Sequence, residues 1–98
     1  MKSILQDDPD VCFLCGLPAC GDPLDWHHVF GGALRSKSEK YGLKVRLHHW
    51  ECHIFGPESA HQSGETAAFL HRAAQEAAMK KYGWNEEDFR REFYKNHL

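Results

Sequence analysis

The density of metal-binding side chains is the feature that most restricts how this chain can fold. Eight histidines and four cysteines occur among its 98 residues, in a composition that is otherwise globular, with 42% hydrophobic and 27% charged residues. A chain of this length forms one domain with a modest core, and such domains commonly need a metal ion or disulfides for stability. The sequence therefore predicts a single domain, residues 1–98, whose fold depends on bound metal.

Two of the cysteines form a motif. Cys12 and Cys15 are a C-x2-C pair directly before Gly16, a pattern typical of a zinc knuckle. A redox C-x-x-C motif is the alternative, but the βαβ pattern of thioredoxin-like proteins does not surround this pair. The first ten residues contain acids where a signal peptide needs an apolar run, and no stretch approaches the roughly 20 apolar residues of a membrane span. We therefore expect a cytoplasmic protein with no membrane partner, whose reduced thiols bind metal.

Tetrahedral zinc needs a second pair of ligands from another segment of the chain. Cys52 and a histidine just before it, His48 or His49, can supply that pair. His49 is preferred because it has the x2 spacing to Cys52, while Cys20 competes for one position. The predicted structural zinc site consists of Cys12, Cys15, His49 and Cys52. Such an ion would tie the beginning of the chain to the end of a hairpin and contribute folding free energy directly.

Two short strands are predicted in the first half of the chain. Residues 25–30 are strand-like and end at a Gly-Gly pair, and residues 43–47 alternate apolar and basic side chains, which is typical of a strand with one buried face. The segment 35–42 between them is predicted to be a loop or irregular turn. Residues 1–10 are predicted to be a frayed lead-in.

Two helices are predicted in the second half. Ser63 is a suitable N-cap for a helix from residue 64 or 65 to about residue 82, which Gly83 would end. Asn85 would cap a last helix, whose acidic first turn suits the helix dipole. The apolar stripe of the first helix is Leu70, Ala74, Ala77 and Ala78, widened by Phe69 and Ala73. The last helix would be pinned to the body by Phe89, Phe93 and Tyr94.

Basic residues cluster between positions 35 and 46, where five of them accompany a single acid. A solvated loop is the alternative, but the histidines on either side favour a phosphate-contacting surface. The formal net charge of −2 argues against a protein that coats nucleic acid by bulk electrostatics. On the second predicted strand, Lys44 and Arg46 would face solvent. The predicted phosphate-contacting residues are Arg35, Lys37, Lys40, Lys44 and Arg46.

Four histidines are candidates for a second site. His27 and His28 are adjacent on a predicted strand, so their side chains point to opposite faces unless the strand end is distorted. The Gly-Gly pair that follows permits such a distortion, which would place one imidazole on a metal ion and the other beside a phosphate. Further along the chain, His53 and His61 offer more nitrogen ligands.

A family resemblance rests on these residues. The run Asp25-Trp26-His27-His28-Val29-Phe30, a hairpin return and then Cys52-His53 resemble the His-Me finger nucleases, commonly called HNH endonucleases. Small phage and prophage HNH proteins are the closer likeness, and the phage recombination-enhancement nuclease is a candidate relative. That likeness lies in His28-Val29-Phe30-Gly31-Gly32, Ser38-Glu39-Lys40-Tyr41-Gly42-Leu43 and the segment from Cys52 to His61. It covers roughly residues 12–64, with a less specific match in the C-terminal tail.

The resemblance implies an α+β fold, with a zinc-stapled ββα-metal motif over about residues 11–64 and two C-terminal helices over about residues 64–96. It implies hydrolysis of DNA phosphodiester bonds, in which His28 is the catalytic general base that takes a proton from water. A divalent ion (Mg²⁺, Mn²⁺, Ni²⁺ or Zn²⁺) would stabilise the leaving oxygen. The implied ligands of that catalytic ion are His27, His53 and His61. DNA is the expected partner, and the resemblance leaves room for a phage or recombination protein as another.

The sequence departs from the family pattern in two ways. The asparagine that orients the general base has no equivalent, since Lys44 lies near its place, and a backbone carbonyl is the expected substitute. His53 and His61 are also more than one helical turn apart and enclose Gly56-Pro57, so a loop must bring His61 back. The missing asparagine favours an alternative, a non-catalytic zinc-binding module that binds DNA or a protein partner.

Overall fold

A hairpin and three α-helices form the part of the chain that the computed structural model describes, residues 2–98. The elements follow the order β1 (Leu24–His28), α1 (Arg35–Tyr41), β2 (Lys44–His48), α2 (Gly64–Tyr82) and α3 (Glu86–Phe93). A short 3₁₀ turn, Gly32–Leu34, precedes α1, and a π-helix, His49–Ile54, follows β2. The fold is therefore α+β with a two-stranded antiparallel sheet.

The two strands pair along their whole length, from Leu24 opposite His48 to His28 opposite Lys44. The two residues after β1, which were expected to extend it, lie outside the strand and are buried in the core, although Val29 still donates its N–H to the carbonyl of Leu43. On β2 the alternation predicted from the sequence holds, since its apolar side chains are fully buried and its basic ones are not. The hairpin therefore carries histidines at the end of each strand.

Helix α1 occupies the segment 35–42 that was expected to be a loop, so that expectation is wrong. Gly42 ends the helix in the left-handed conformation, with φ of 74°, and a Cβ there would come within 2.5 Å of the carbonyl oxygen of Lys2. The buried hydroxyl of Ser38 donates to the carbonyl of Leu43 and accepts from the backbone N–H of Phe30. A helix of seven residues is too short to be stable alone, so these tertiary contacts fix it.

The N-terminal segment covers the free edge of β2. Residues 2–10, the described part of the predicted frayed lead-in, are held by contacts with the backbone of β2. Ser3 donates its hydroxyl to the carbonyl of Lys44 (2.6 Å), and the side-chain oxygen of Gln6 accepts from the N–H of Arg46 (2.6 Å). Phe13 then donates its N–H to the carbonyl of Arg46 (2.8 Å). The expectation of fraying is therefore wrong, because these bonds satisfy the backbone groups of an edge strand.

Three boundaries of the last two helices match the sequence prediction, but α3 ends at Phe93 and not near residue 96. Ser63 caps α2 by accepting from the backbone N–H of Thr66 (3.1 Å), and Gly83 ends it in the left-handed conformation. Asn85 and Asp88 form a reciprocal capping box at the start of α3. Within residues 2–98, none of the helices combines the length and apolar character that crossing a bilayer requires.

The core is formed where α2 and α3 pack against the hairpin. The fully or almost fully buried side chains include Leu43, Val45, Leu47, Leu70, Ala74, Ala78, Phe89 and Phe93. The predicted place of Phe69 in the apolar stripe is wrong, because its side chain is 52% exposed. Tyr94 is 72% exposed and contacts the body through the amine of Lys37, which lies over its ring, and not through the core. Gln75 is buried instead, and its side chain bonds Asn96 and the backbone N–H of His97, which holds the C-terminal tail against α2.

Candidate metal centres and the adjoining pocket

A tight turn presents the first two thiols. Val11 and Pro18 form an isolated bridge, and between them the N–H of Gly16 donates to the carbonyl of Cys12 (2.8 Å). Gly16 adopts a left-handed φ of 76°, which side chains other than that of glycine rarely accept. This turn is the predicted knuckle, and the bond from Phe13 to β2 places it beside the end of that strand.

Four ligand atoms meet beside the knuckle, all within 4.8 Å of one another. They belong to Cys12, Cys15, His48 and Cys52. Three thiolates and one imidazole are a standard tetrahedral zinc set, and ligands about 2.3 Å from a common ion would lie roughly 3.8 Å apart. The four side chains therefore sit close enough to bind a metal such as zinc.

The choice of His49 as the fourth ligand is wrong, because His48 occupies that position. His48 is the last residue of β2 and its Nδ1 lies 3.2 Å from the sulfur of Cys15. The next residue, His49, begins the π-helix and points away to Asp25. Consecutive residues at a strand end point in different directions, so only one of the two histidines can reach the thiols. Cys20 is exposed and lies outside the group.

The environment of the four side chains suits metal binding. His48 Nε2 donates to the carbonyl of Pro18 (2.9 Å), which leaves Nδ1 free as a ligand and raises the pKa of His48. Burial by itself would raise the pKa of Cys12, but the backbone N–H groups of Cys15 and His48 outweigh it and lower the pKa to about 7. Burial and the neighbouring Cys12 raise the pKa of Cys52. A bound dication would hold both side chains as thiolates, because its positive charge outweighs the effects of burial and of the neighbouring thiol.

Three histidines form a second group, separate from the first. The ligand atoms of His27, His53 and His61 lie within 4.8 Å of one another. The ring of His53 lies 5.0 Å from that of His27 and 4.8 Å from that of His61. Burial and the two neighbouring imidazoles lower the pKa of His27 to about 4, and burial also lowers the pKa of His61. Neutral imidazoles present the lone pairs that a metal ion requires.

The chain returns through a tight loop to bring His61 to His53, as predicted. The N–H of His61 donates to the carbonyl of His53 (3.0 Å), and Ala60 makes the same type of bond to Cys52 (2.8 Å). Gly56 is essential to this loop, since a Cβ there would lie 2.0 Å from the backbone oxygen of Glu51. The loop therefore closes only with a glycine at this position.

His28 lies beside this group, and both of its ring nitrogens have a hydrogen-bond partner. Its Nε2 lies 2.9 Å from a carboxylate oxygen of Glu39, and its Nδ1 accepts from Nε of Arg35 at 3.3 Å. Arginine is always a donor, so Nδ1 carries the lone pair and Nε2 carries the proton. His28 is 11% exposed, and none of the groups of potential metal ligands among residues 2–98 includes it.

Glu39 takes the orienting role that was expected of a backbone carbonyl. Hydrogen bonds from His28 and Lys44 lower the pKa of Glu39 to about 2, so its carboxylate is charged at neutral pH. Lys44 donates to both carboxylate oxygens, at 2.9 and 3.1 Å. Glu39 therefore connects the amine of Lys44 to the ring of His28. The sequence contains no local signal of this pairing, because it joins α1 to both strands.

A pocket of about 500 Å³ joins these side chains. It contains His28 and all three histidines of the second group, and Arg35 lies at its edge. Apolar side chains from α2 and the preceding loop complete the wall, together with His71. Burial lowers the pKa of His71, which is a pocket residue that the sequence did not single out.

The five basic residues expected to contact phosphate have different environments. Arg35 is the one that lines the pocket. The amine of Lys37 donates to the carbonyl of Glu92, and the amine of Lys40 lies over the ring of Tyr41. Lys44 and Arg46 both lie about 5 Å from the ring centre of Trp26. The expectation that the last two project freely into solvent is wrong, because that tryptophan packs against them.

One more group of polar side chains borders the second histidine group. A single carboxylate oxygen of Asp25 lies 2.5 Å from Nδ1 of His49 and 2.9 Å from Nδ1 of His53. These hydrogen bonds outweigh the effect of burial and lower the pKa of Asp25. Asp25 is a residue to which the sequence assigned no role.

The chain matches no protein-family model, no curated protein and no solved structure. The site geometry is therefore the basis for assigning a function.

Proposed function

We propose that this protein is a metal-dependent DNA endonuclease of the HNH type, in which His28 activates the attacking water. The observation that carries the proposal is the position of His28, whose Nδ1 lone pair lies in the same pocket as three histidines that can share an ion. A general base and a metal site in one open pocket are the two requirements of metal-assisted phosphodiester hydrolysis.

The roles follow from the hydrogen bonds. The carboxylate of Glu39 accepts a hydrogen bond from Nε2 of His28, so that Nδ1 is the nitrogen that accepts a proton from water. Arg35 is exposed and its bond to Nδ1 is long, 3.3 Å, so its guanidinium can turn to a phosphate when water takes its place. A divalent ion bound by His27, His53 and His61 would supply charge stabilisation at the phosphate and the leaving oxygen.

The fold agrees with the ββα-metal arrangement in part. The two strands and the Cys-His segment after them occur in the expected order, but the segment carrying His53 is a π-helix of six residues. An α-helix of seven residues also lies between the strands. Irregular helical turns of this kind are frequent at functional sites, so the π-helix is compatible with a metal-binding role. We therefore keep the ββα-metal assignment as part of the proposal.

The alternative is a non-catalytic zinc-binding module. It is favoured by the formal net charge of −2 and by the internal bonds of Lys37 and Lys44, both of which reduce the positive surface offered to DNA. It gives no reason for a pocket histidine whose tautomer is fixed by a carboxylate.

A plasmid-nicking assay separates the two functions. The zinc-loaded protein is incubated with supercoiled DNA and Mg²⁺, Mn²⁺, Ni²⁺ or Zn²⁺. We expect wild-type protein to nick the plasmid with at least one ion, and His28→Ala to lower the rate by about 10²–10⁴-fold. His97→Gln is the matched control, because His97 lies outside the pocket lining and should retain the wild-type rate. Binding of DNA without nicking under all four ions would favour the module, and full activity of His28→Ala would exclude its role as base.

A further inference from the structure

Asp25 is placed to control one of the proposed metal ligands. It lies on β1 two residues before His27, so the two side chains leave the strand on the same face. One oxygen of its carboxylate accepts hydrogen bonds from Nδ1 of His49 and Nδ1 of His53. His53 is the histidine that connects this carboxylate to the group of three.

The distances show that Asp25 accepts hydrogen bonds here. Two atoms that bind one tetrahedral ion at about 2.1 Å would lie roughly 3.4 Å apart. Nδ1 of His49 and Nδ1 of His53 lie 2.5 and 2.9 Å from the carboxylate oxygen, which are hydrogen-bond separations. A carboxylate only accepts, so both Nδ1 atoms carry protons, and in the neutral form of each imidazole the lone pair is then on Nε2.

Simple anchoring of the π-helix does not account for Asp25, because another residue performs it. Asp22 accepts from the backbone N–H of Trp50 (2.8 Å) and from that of Glu51 (3.0 Å), which ties the first turn of the π-helix to the segment before β1. Asp25 instead bonds the imidazoles that the π-helix carries. Asp22 therefore anchors the backbone of the π-helix, whereas Asp25 contacts the imidazole side chains that this helix carries.

We propose that Asp25 is a positioning residue, which fixes the tautomer of His53 so that Nε2 faces an ion shared with His27 and His61. His49 holds the carboxylate in place from the other side. This assignment depends on the metal site of the proposed function. A carboxylate that accepts from the far nitrogen of a metal-bound histidine fixes the ring and increases its basicity, and loss of such a group typically weakens metal binding by about 10–100-fold.

Cobalt binding tests the assignment without any measurement of activity. Full-length protein with one zinc already bound is titrated with Co²⁺, and binding to nitrogen ligands is followed by d–d absorption. Sulfur-to-cobalt charge-transfer bands report any exchange of cobalt for the zinc in the cysteine group, which consists of Cys12, Cys15, His48 and Cys52. We expect Asp25→Ala, which removes the oxygen that accepts from both imidazoles, to weaken the Co²⁺ affinity about 10–100-fold. Asp22→Ala, the matched control, removes only the two bonds to the π-helix backbone and should retain most of the wild-type affinity.

The tautomer of His53 is a second readout, independent of added cobalt. Long-range ¹⁵N–¹H correlation spectra of the zinc-loaded protein should show the proton of His53 on Nδ1 in wild type and Asp22→Ala, and a shift toward the other tautomer in Asp25→Ala. Retention of zinc and of the thermal midpoint shows that each variant is folded.

Three results would overturn the assignment: equal Co²⁺ affinity in Asp25→Ala and wild type, equal weakening in both aspartate variants, or no Co²⁺ site in wild type beyond the cysteine group. Failure of the protein to nick DNA, with the affinity difference intact, would instead overturn the proposed function and leave the role of Asp25 standing.

Discussion

The cysteine group (Cys12, Cys15, His48 and Cys52) and the histidine group (His27, His53 and His61) meet at consecutive residues, Cys52 and His53, yet they are built differently. The cysteine group offers four ligands, and its Cys12, His48 and Cys52 are buried. The histidine group offers three and lines an open pocket. Structural zinc sites are four-coordinate and closed, whereas catalytic sites retain a position for water or substrate. Under the proposed function, a single turn of π-helix would serve both kinds of site, with one side chain directed to each.

The supporting hydrogen bonds differ in the same way. In the cysteine group the carbonyl of Pro18 orients His48, and this bond joins two parts of the fold. Around the pocket the orienting groups are carboxylates, Glu39 for His28 and Asp25 for His53. A carbonyl fixes a tautomer, while a carboxylate also adds negative charge that favours a protonated or metal-bound imidazole. The difference is consistent with a stabilising role for the first group and a chemical role for the second.

The largest effect is expected from the cysteine group. Cys12→Ala should prevent stable folding, because structural zinc in small domains contributes about 10–16 kcal/mol of apparent binding free energy, comparable with the whole stability of a domain. Zinc content and far-ultraviolet circular dichroism check this, with Cys20→Ala as the control outside the group. A folded, zinc-free Cys12→Ala protein would contradict the structural role.

A smaller loss, confined to the histidine group, is expected from the loop that returns His61. Gly56→Ala forces a Cβ against the backbone oxygen of Glu51, at 2.0 Å, and should cost roughly 1–3 kcal/mol of stability while abolishing cobalt binding to the histidines. Zinc in the cysteine group should remain. Gly64→Ala is the matched control, because no atom lies within 4 Å of the position of its Cβ. If both variants bind cobalt equally, the loop does not set the geometry of the histidine group.

Glu39→Gln should impair the proposed general base without affecting metal binding. The change removes the charge that orients His28, and we expect DNA nicking to fall about 10–100-fold with both metal contents unchanged. Gel quantification of nicked plasmid and metal analysis measure the two effects. The control is Glu65→Gln, an exposed residue in the first turn of α2. A simultaneous loss of metal in Glu39→Gln would mean that Glu39 stabilises the pocket as a whole.

The smallest effect is expected from the scaffold that both groups share. Asn85→Ala removes the cap of α3 and should cost about 1 kcal/mol. For a domain of this size, that cost lowers the thermal midpoint by about 4–8 °C. Metal contents and nicking should not change, and calorimetry with metal analysis measures both. A change in either site would show that α3 is coupled to the metal groups more directly than its position indicates.

Much of the fold was predictable because its signals are local. The caps Ser63 and Asn85 and the ending glycine Gly83 set the helix boundaries through bonds that span only a few residues. The alternation of β2 and the C-x2-C turn are local in the same sense. Three cysteine ligands and the grouping of three histidines were likewise predicted, because the hairpin brings these segments together.

Helix α1, the contacts of the N-terminal segment and the choice between His48 and His49 were not predictable in this way. Each depends on which surface another segment covers, since the knuckle meets the last residue of β2 and the backbone of β2 binds the segment before it. The hydrogen-bond partners of the lysines were not predictable for the same reason, because the acceptors of Lys37 and Lys44 lie on α3 and α1.

The sequence by itself determined that the chain would concentrate thiol and imidazole ligands around a hairpin, because spacing and period act over a few residues. The tertiary structure alone decided which imidazole joins the thiols and which carboxylates orient the others. The physical reason is range: a hydrogen bond such as that from His53 to Asp25 spans 28 residues of sequence, and its geometry exists only after the chain has folded.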